Sequence, residues 1–346
     1  MKGPLQSEKG IALFLVLWVL MLLSVIVGEF CHAMRTEVNI ARNFTEETRA
    51  YYIARAGVNI ALNQLLKQQS RPRSRAAAAE AVAEDPWRIN RSMPAFSYGG
   101  GAFRARVTDE GGKVNINRAG PRLLRAMLSG FDLNEEERDI IVDSILDWRD
   151  GDNFHRLNGA EEDYYQSLAE PYHARNGDFA STAELQLVRG VTPEMVENGL
   201  MEMVTVFPGT RDGSDDASAG GGGSPFDYSR LCVNAVPGVL LRSLPGMNQE
   251  LADAVVEHRE ATPFRSTADV ISVLGEAYGA VSPFLTIQES GVYAVAAVGY
   301  AAEGADGAEG SGSALHRGVM AVVEATPDTG RKYRVLAWLD NIGAGF

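Results

Sequence analysis

The sequence predicts an α+β protein in which a long amino-terminal helix is followed by an antiparallel β-sheet, and a large helical insertion interrupts that sheet. Three observations carry this. Residues 11–28 are an uncharged apolar run that continues into a helical spacing of apolar residues. Strand-like alternation occurs over 102–117 and does not return strongly until after residue 290. Between the two lies a helical stretch in which related segments occur twice.

The apolar run has 18 residues, close to the roughly 20 that a helix needs to cross a hydrocarbon core about 30 Å thick. It is followed by Glu29 and Phe30, not by the small-residue cleavage site of a discarded secretory signal. Further on, Phe30, Met34, Val38, Ala41, Phe44, Tyr51, Val58, Leu62 and Leu65 recur mostly three or four residues apart. That spacing predicts one helix from Ile11 to about Gln69 whose apolar stripe can bundle with other helices. Residues 70–117 read as a connector containing an alanine-rich helix, a turn at "SYGGGAF", and a β-hairpin over 102–117 that turns at Glu110-Gly111-Gly112. Three more strands are predicted at 291–301, 316–326 and 332–340, within a carboxy-terminal sheet segment of 290–346.

The insertion spans 118–289. "NRAGPRLLRAM" from Asn117 parallels "NAVPGVLLRSL" from Asn234, and "FASTAEL" from Phe179 parallels "FRSTADV" from Phe264. Repeat one is thus placed at 117–205 and repeat two at 228–288. Each reads as helix, turn, helix and a further Ser/Thr-capped helix. A Gly/Ser/Asp-rich loop over 208–226 has the composition of a disordered linker. The repeats resemble the helix-hairpin-helix fold, most clearly at "LPGMNQELADAVVEHRE". DNA-binding members present hairpin glycines to a phosphate. Here Gly246 is followed by Asn248, Glu250, Asp253, Glu257 and Glu260, and those carboxylates repel a phosphate. The motif therefore reads as a packing unit, and nucleic acid is not expected as a partner.

The formal net charge of −13 agrees, arguing against broad binding to nucleic acid or anionic membranes. Cys31 and Cys232 are the only cysteines, and their separation argues against a bridge. The densest chemistry is "DWRDGDNFHRLNGAEEDYY", with Asp147, Asp150, Asp152, Asn153, Glu161, Glu162 and Asp163. Calcium takes six to eight oxygen ligands from irregular loops, so the class of ligand fits, although the order is not that of an EF-hand. The residues alone equally describe a solvated acidic loop. Zinc fits less well, since His155 and His173 have no cysteine or paired histidine beside them. No Ser-His-Asp order, phosphate loop, dinucleotide fingerprint or paired-cysteine motif predicts an enzyme.

A short leader with Lys2 and Lys9, then Gly10, then an apolar helix carrying "EVNIARNFTEETRAYYIARAGVNIAL" resembles the type IV pilin-like proteins. Most closely it resembles the K-class minor pseudopilins of type II secretion systems (the GspK family). The resemblance implies a pseudopilin fold with a helical domain inserted into its sheet. It implies that a prepilin peptidase cuts the leader, residues 1–10, after Gly10 and that Ile11 is N-methylated. Residues 11–28 would then span the inner membrane, and the helix over 29–69 and the large domain would lie in the periplasm. Most pilins carry a glutamate at the fifth mature position, and here that position is Leu15. Its absence is characteristic of the K class and implies a subunit at the tip of the pseudopilus. Calcium bound by the acidic loop is implied as well. So are several partners: minor pseudopilins of the I and J classes, then the H class, the major pseudopilin, the inner-membrane secretion platform and the lipid bilayer. Two alternatives stand beside this reading: a minor pilin of a type IV pilus or competence system, which would share the leader and helix, and a membrane-anchored periplasmic DNA-binding module, which would use the hairpin repeats.

Overall fold

The computed structural model describes residues 9–69, 87–91, 93–209, 226–301, 315–325 and 333–343. In chain order the elements are α1 (Lys9–Gln69), β1 (Phe96–Tyr98), β2 (Gly101–Asp109), β3 (Val114–Asn115), α2 (Pro121–Leu128), α3 (Glu135–Arg149) and α4 (Glu162–Gln166). They continue with α5 (Pro193–Glu197), α6 (Leu200–Met203), β4 (Val204–Thr205), β5 (Leu231–Cys232), α7 (Gly238–Ser243), α8 (Gln249–Ala261), α9 (Thr267–Leu274) and α10 (Tyr278–Val281). The last four are β6 (Leu285–Thr286), β7 (Val292–Tyr300), β8 (His316–Ala325) and β9 (Tyr333–Ile342). The alanine-rich helix expected in the connector, and nearly all of the 208–226 loop, lie outside the described residues.

Helix α1 is 61 residues long and begins with Gly10 and Ile11 in its first turn. Among the described residues it is the one helix long and apolar enough to cross a membrane. Its two halves differ in what they touch. Leu15, Phe30, Met34, Val38, Ala41 and Phe44 are exposed, whereas Ala50, Ile53, Ala54, Val58, Ala61, Leu62 and Leu65 are buried. The buried set recurs every three or four residues and forms the face that lies on the sheet, in one core with Phe103, Val107, Val295, Ala297 and Val319. This corrects the expectation of a single bundling stripe. Val58, Leu62 and Leu65 cover the chain's own sheet, Tyr51 is half-buried beside them, and Phe30, Met34, Val38, Ala41 and Phe44 are exposed among the described residues. The helix sits close because glycines allow it: a Cβ on Gly299 would lie 2.2 Å from the Ala50 carbonyl oxygen.

The main sheet has the order β1-β2-β7-β8-β9, and all neighbours are antiparallel. The expected hairpin over 102–117 does not form. The hairpin is instead β1–β2, turning at Gly99-Gly100, whose φ values of 60° and 74° suit the two-residue turns that match strand twist. At Glu110–Gly112 the chain makes a 3₁₀ turn and leaves the sheet, and β3 pairs in parallel with β4 rather than folding back on β2. The buried carboxylate of Asp109 holds this exit. It accepts from the Gly111 N–H at 3.0 Å, and from the backbone N–H and hydroxyl of Ser290, where the chain returns to β7.

Between exit and return, the two copies share one core in which Leu124, Ile145 and Leu185 are joined to Leu241, Val255 and Phe264. The copies are built alike. The Asn117 amide donates to the Phe179 carbonyl (3.0 Å) and accepts from its N–H (2.8 Å); Asn234 does the same to Phe264, at 2.9 and 2.8 Å. The Arg149 guanidinium donates to the carbonyls of Ile116 and Ala119, and Arg259 to those of Val233 and Val236. Each copy is closed by a short parallel pair, β3–β4 or β5–β6. Ser181 and Ser266 both cap a following helical turn, though the first is 3₁₀ and the second is α9. Cys31 is exposed on α1, Cys232 is buried on β5, and neither is bridged.

Candidate functional site

The acidic loop is an excursion that repeat two lacks. In repeat two, Phe264 comes five residues after Arg259, whereas in repeat one Phe179 comes thirty residues after Arg149. Asp150 ends α3 as its carboxy-terminal cap, and Glu161 precedes α4, so two helix ends set the positions of the loop's acids. Here Asp150, Asp152 and Glu161 each bring a carboxylate oxygen within 4.8 Å of the others. Glu161 is 1% exposed and neither of its carboxylate oxygens has a hydrogen-bond partner, and one Asp150 oxygen is likewise buried and unpartnered. Burial, then the charges of Asp147 and Asp150, push the Glu161 carboxyl up to about 7. A buried carboxylate with no partner is costly. An oxygen-seeking cation would relieve both the burial and the repulsion, and calcium's tolerance of irregular oxygen sets suits this donor group. The residues therefore fit a calcium ion.

Other members of the predicted set are engaged elsewhere, which narrows the expectation. Asp147 is fully buried and accepts from the Arg156 guanidinium at 2.5 Å and from its backbone N–H at 3.2 Å. Burial raises its pKa, opposed by these bonds from Arg156. The same guanidinium reaches Asp150 at 2.5 Å. Gly159 makes room for this pair, since a Cβ there would lie 1.8 Å from an Asp147 oxygen. Glu162 accepts from the Ala174 N–H at 2.8 Å and contacts His173 at 2.5 Å, and these bonds lower its pKa. Asp163 accepts from the Tyr164 N–H and pairs with His155 at 2.9 Å. The two histidines thus pair with carboxylates, and of the seven expected residues Asp150, Asp152 and Glu161 are the ones whose carboxylate oxygens come together, while Asp152 also accepts from the Phe154 N–H at 2.8 Å. The Asn153 oxygen accepts from Asn176 at 2.7 Å.

Two participants were not singled out from sequence. Arg156 lies inside the acidic run, and its role as the counter-ion of Asp147 and Asp150 depends on the loop folding back. Asn176 donates to the Asp152 carbonyl at 3.1 Å and has an unpartnered buried side-chain oxygen. Its φ of 46° fits the Asn176-Gly177 dipeptide, a turn signal that was available in the sequence. The second hairpin gives Gly246 a φ of 80°, and Asn248 caps α8, on which Glu250, Asp253, Glu257 and Glu260 are exposed.

The architecture is thus a long amino-terminal helix, half of it exposed and half packed on an antiparallel sheet that a helical segment interrupts. Residues 106–209 match the family model described as "Type II secretion system (T2SS), protein K". The chain is 24% identical over 225 residues to type II secretion system protein K of Pectobacterium carotovorum subsp. carotovorum, covering 59% of this chain and 64% of that protein. It is 23% identical over 291 residues to the protein K of Pseudomonas aeruginosa, covering 80% and 81%. The match thus spans just under two thirds of the Pectobacterium relative's length. Its fold is similar to that of a chain in the crystal structure of the GspK-GspI-GspJ complex from enterotoxigenic Escherichia coli. That match has a TM-score of 0.56 at 16% identity and covers 90% of this chain and 99% of that one.

Proposed function

We propose that this protein is the K-class minor pseudopilin of a type II secretion system, assembling with I- and J-class pseudopilins at the tip of the pseudopilus. The observation that carries the reading is the match of residues 106–209 to the protein K family model. It includes the exit from the sheet, repeat one and the acidic loop. In this reading the leader is cut after Gly10, Ile11 is methylated, α1 anchors the chain in the inner membrane, and the sheet and insertion stand in the periplasm. The exposed stripe from Phe30 to Phe44 meets the helices of the other subunits, and burying it is the driving force for assembly. Leu15 offers no carboxylate to a neighbour's terminal amine. A carboxylate in the bilayer is costly unless paired, so a leucine suits a subunit that has no earlier neighbour.

The protein works by assembly rather than catalysis. The repeats act as helix-hairpin-helix packing units that make the insertion rigid, and the exposed acids of α8 keep phosphate away from the hairpin. Asp150, Asp152 and Glu161 hold a calcium ion that ties the excursion of repeat one together. H-class and major pseudopilins extend the filament below, on the inner-membrane platform. Co-purification of the full chain in non-ionic detergent with co-encoded I- and J-class pseudopilins tests the reading. A stoichiometric complex is expected in calcium and a weakened one in chelator. A chain that stays alone in both conditions would sink the tip assignment.

A further inference from the structure

The insertion also carries a cleft of about 590 Å³ where the two repeats meet. Its charged lining is of one sign: Arg122 and Arg125 from α2, and Arg138 from α3. Pro121 and the buried ring of Phe284 line it too, together with Pro245, which follows α7. The seam beneath is fixed, since the Ser129 hydroxyl at the end of α2 bonds to the Ser243 carbonyl at 3.2 Å. Arg122 is exposed and stacks over Phe284 with 4.7 Å from guanidinium to ring centre, which orients its donors without using them. Arg125 is held by Asp139 at 2.7 Å through one of its three nitrogens. Among the described residues no carboxylate forms an ion pair with Arg122 or Arg138, and Arg138 makes only a 3.4 Å contact to the Asn134 carbonyl.

In a chain of net charge −13, three arginines lining one depression, of which only Arg125 is ion-paired among the described residues, are an unbalanced arrangement. Guanidinium forks match carboxylates in pairs of parallel hydrogen bonds. The proline and phenylalanine side chains favour an apolar group beside the charge, and an open depression of this kind suits an extended segment of another chain rather than a lone anion. We infer that this cleft binds an acidic peptide segment of another protein, seating its carboxylates on Arg122 and Arg138 and an apolar side chain against Phe284 and Pro245. This site is separate from the acidic loop and does not depend on the pseudopilin reading.

The test is a fluorescence anisotropy titration of the full chain in non-ionic detergent, at low salt, with a labelled Glu-Leu-Glu peptide. Saturable binding is expected, weakened at least tenfold by the Arg122→Gln/Arg138→Gln double variant and at least tenfold for Gln-Leu-Gln, with a smaller loss for Glu-Ala-Glu. Arg104→Gln, an exposed change on β2, should bind like the unaltered chain, and equal thermal midpoints establish that all variants are folded. No binding by the unaltered chain up to millimolar protein would overturn the proposal. So would binding unchanged in the double variant, or displacement of the peptide by inorganic phosphate at equal concentration, which marks simple anion attraction.

Discussion

Glu161 is a carboxylate buried against two others, and its raised pKa measures how poorly the bare loop accommodates its charge. Calcium at a hundred times its dissociation constant should stabilise the fold by about 2.7 kcal/mol, read as a rise in thermal midpoint that chelator reverses. Glu161→Gln should lose most of that rise, and a midpoint indifferent to calcium in the unaltered chain would remove the ion from the account. Asp109 offers a second test. Burial raises its carboxyl from 3.8 to about 6, against the bonds from Ser290 and Gly111. Because the folded value lies above the unfolded one, the stability it contributes is fully present below about pH 4 and is lost as pH rises through about 6. Asp109→Asn keeps an acceptor oxygen without the charge. It should flatten the pH 4–7 dependence of the midpoint, which amounts to on the order of 2–3 kcal/mol for the unaltered chain. The same slope in both proteins would mean that the Asp109 carboxyl does not set it.

Packing of α1 on the sheet rests on close backbone approach. A Cβ at Gly299 meets a backbone oxygen at 2.2 Å, while one at Gly57 meets the Phe103 ring at 2.7 Å. Rings can turn and backbone cannot, so Gly299→Val should cost more than Gly57→Ala, with overpacking penalties of about 1–3 kcal/mol or above. Denaturant unfolding that ranked them the other way would show that the helix shifts as a unit. In the insertion, Asn117 and Asn234 are the equivalent links between the start of each repeat and its Phe. Asn117→Ala strands a buried N–H and carbonyl and should cost about 1–3 kcal/mol, and Asn234→Ala, whose equivalent bonds are part-buried, should cost toward the lower end of that range. A measurable loss at both positions would support a duplicated unit, whereas a neutral Asn234→Ala would break the equivalence.

At the scale of the molecule there are two cores. One joins α1 to the sheet and the other fills both repeats, with the Asp109–Ser290 neck between them. Among the described residues the exposed half of α1 belongs to neither. If the leader is processed as proposed, Gly10→Leu should leave the protein at its precursor mass in cells, and a mature-sized product would count against a prepilin leader. Leu15→Glu should leave the fold of the sheet and insertion unchanged and alter the composition of the co-purified complex. An unchanged complex would make that position unimportant to subunit order.

What the sequence by itself determined was periodicity and repetition. The long helix, the three late strands and the paired "NRAGPRLLRAM" and "NAVPGVLLRSL" segments are local patterns, readable because a helix or strand repeats its environment every few residues. Which half of α1 is covered was not readable, since Val38 and Val58 have the same spacing and chemistry, and only the sheet beneath one of them tells them apart. The hairpin moved for a similar reason: Gly99-Gly100 and Gly111-Gly112 are both turn signals, and the contacts of Asp109 with Ser290, far along the chain, send the second one out of the sheet. The acidic loop announced its chemistry through composition. Tertiary structure decided which acids converge, because Arg156, His155 and His173 engage Asp147, Asp150, Asp163 and Glu162 and leave both oxygens of Glu161 without a hydrogen-bond partner among the described residues.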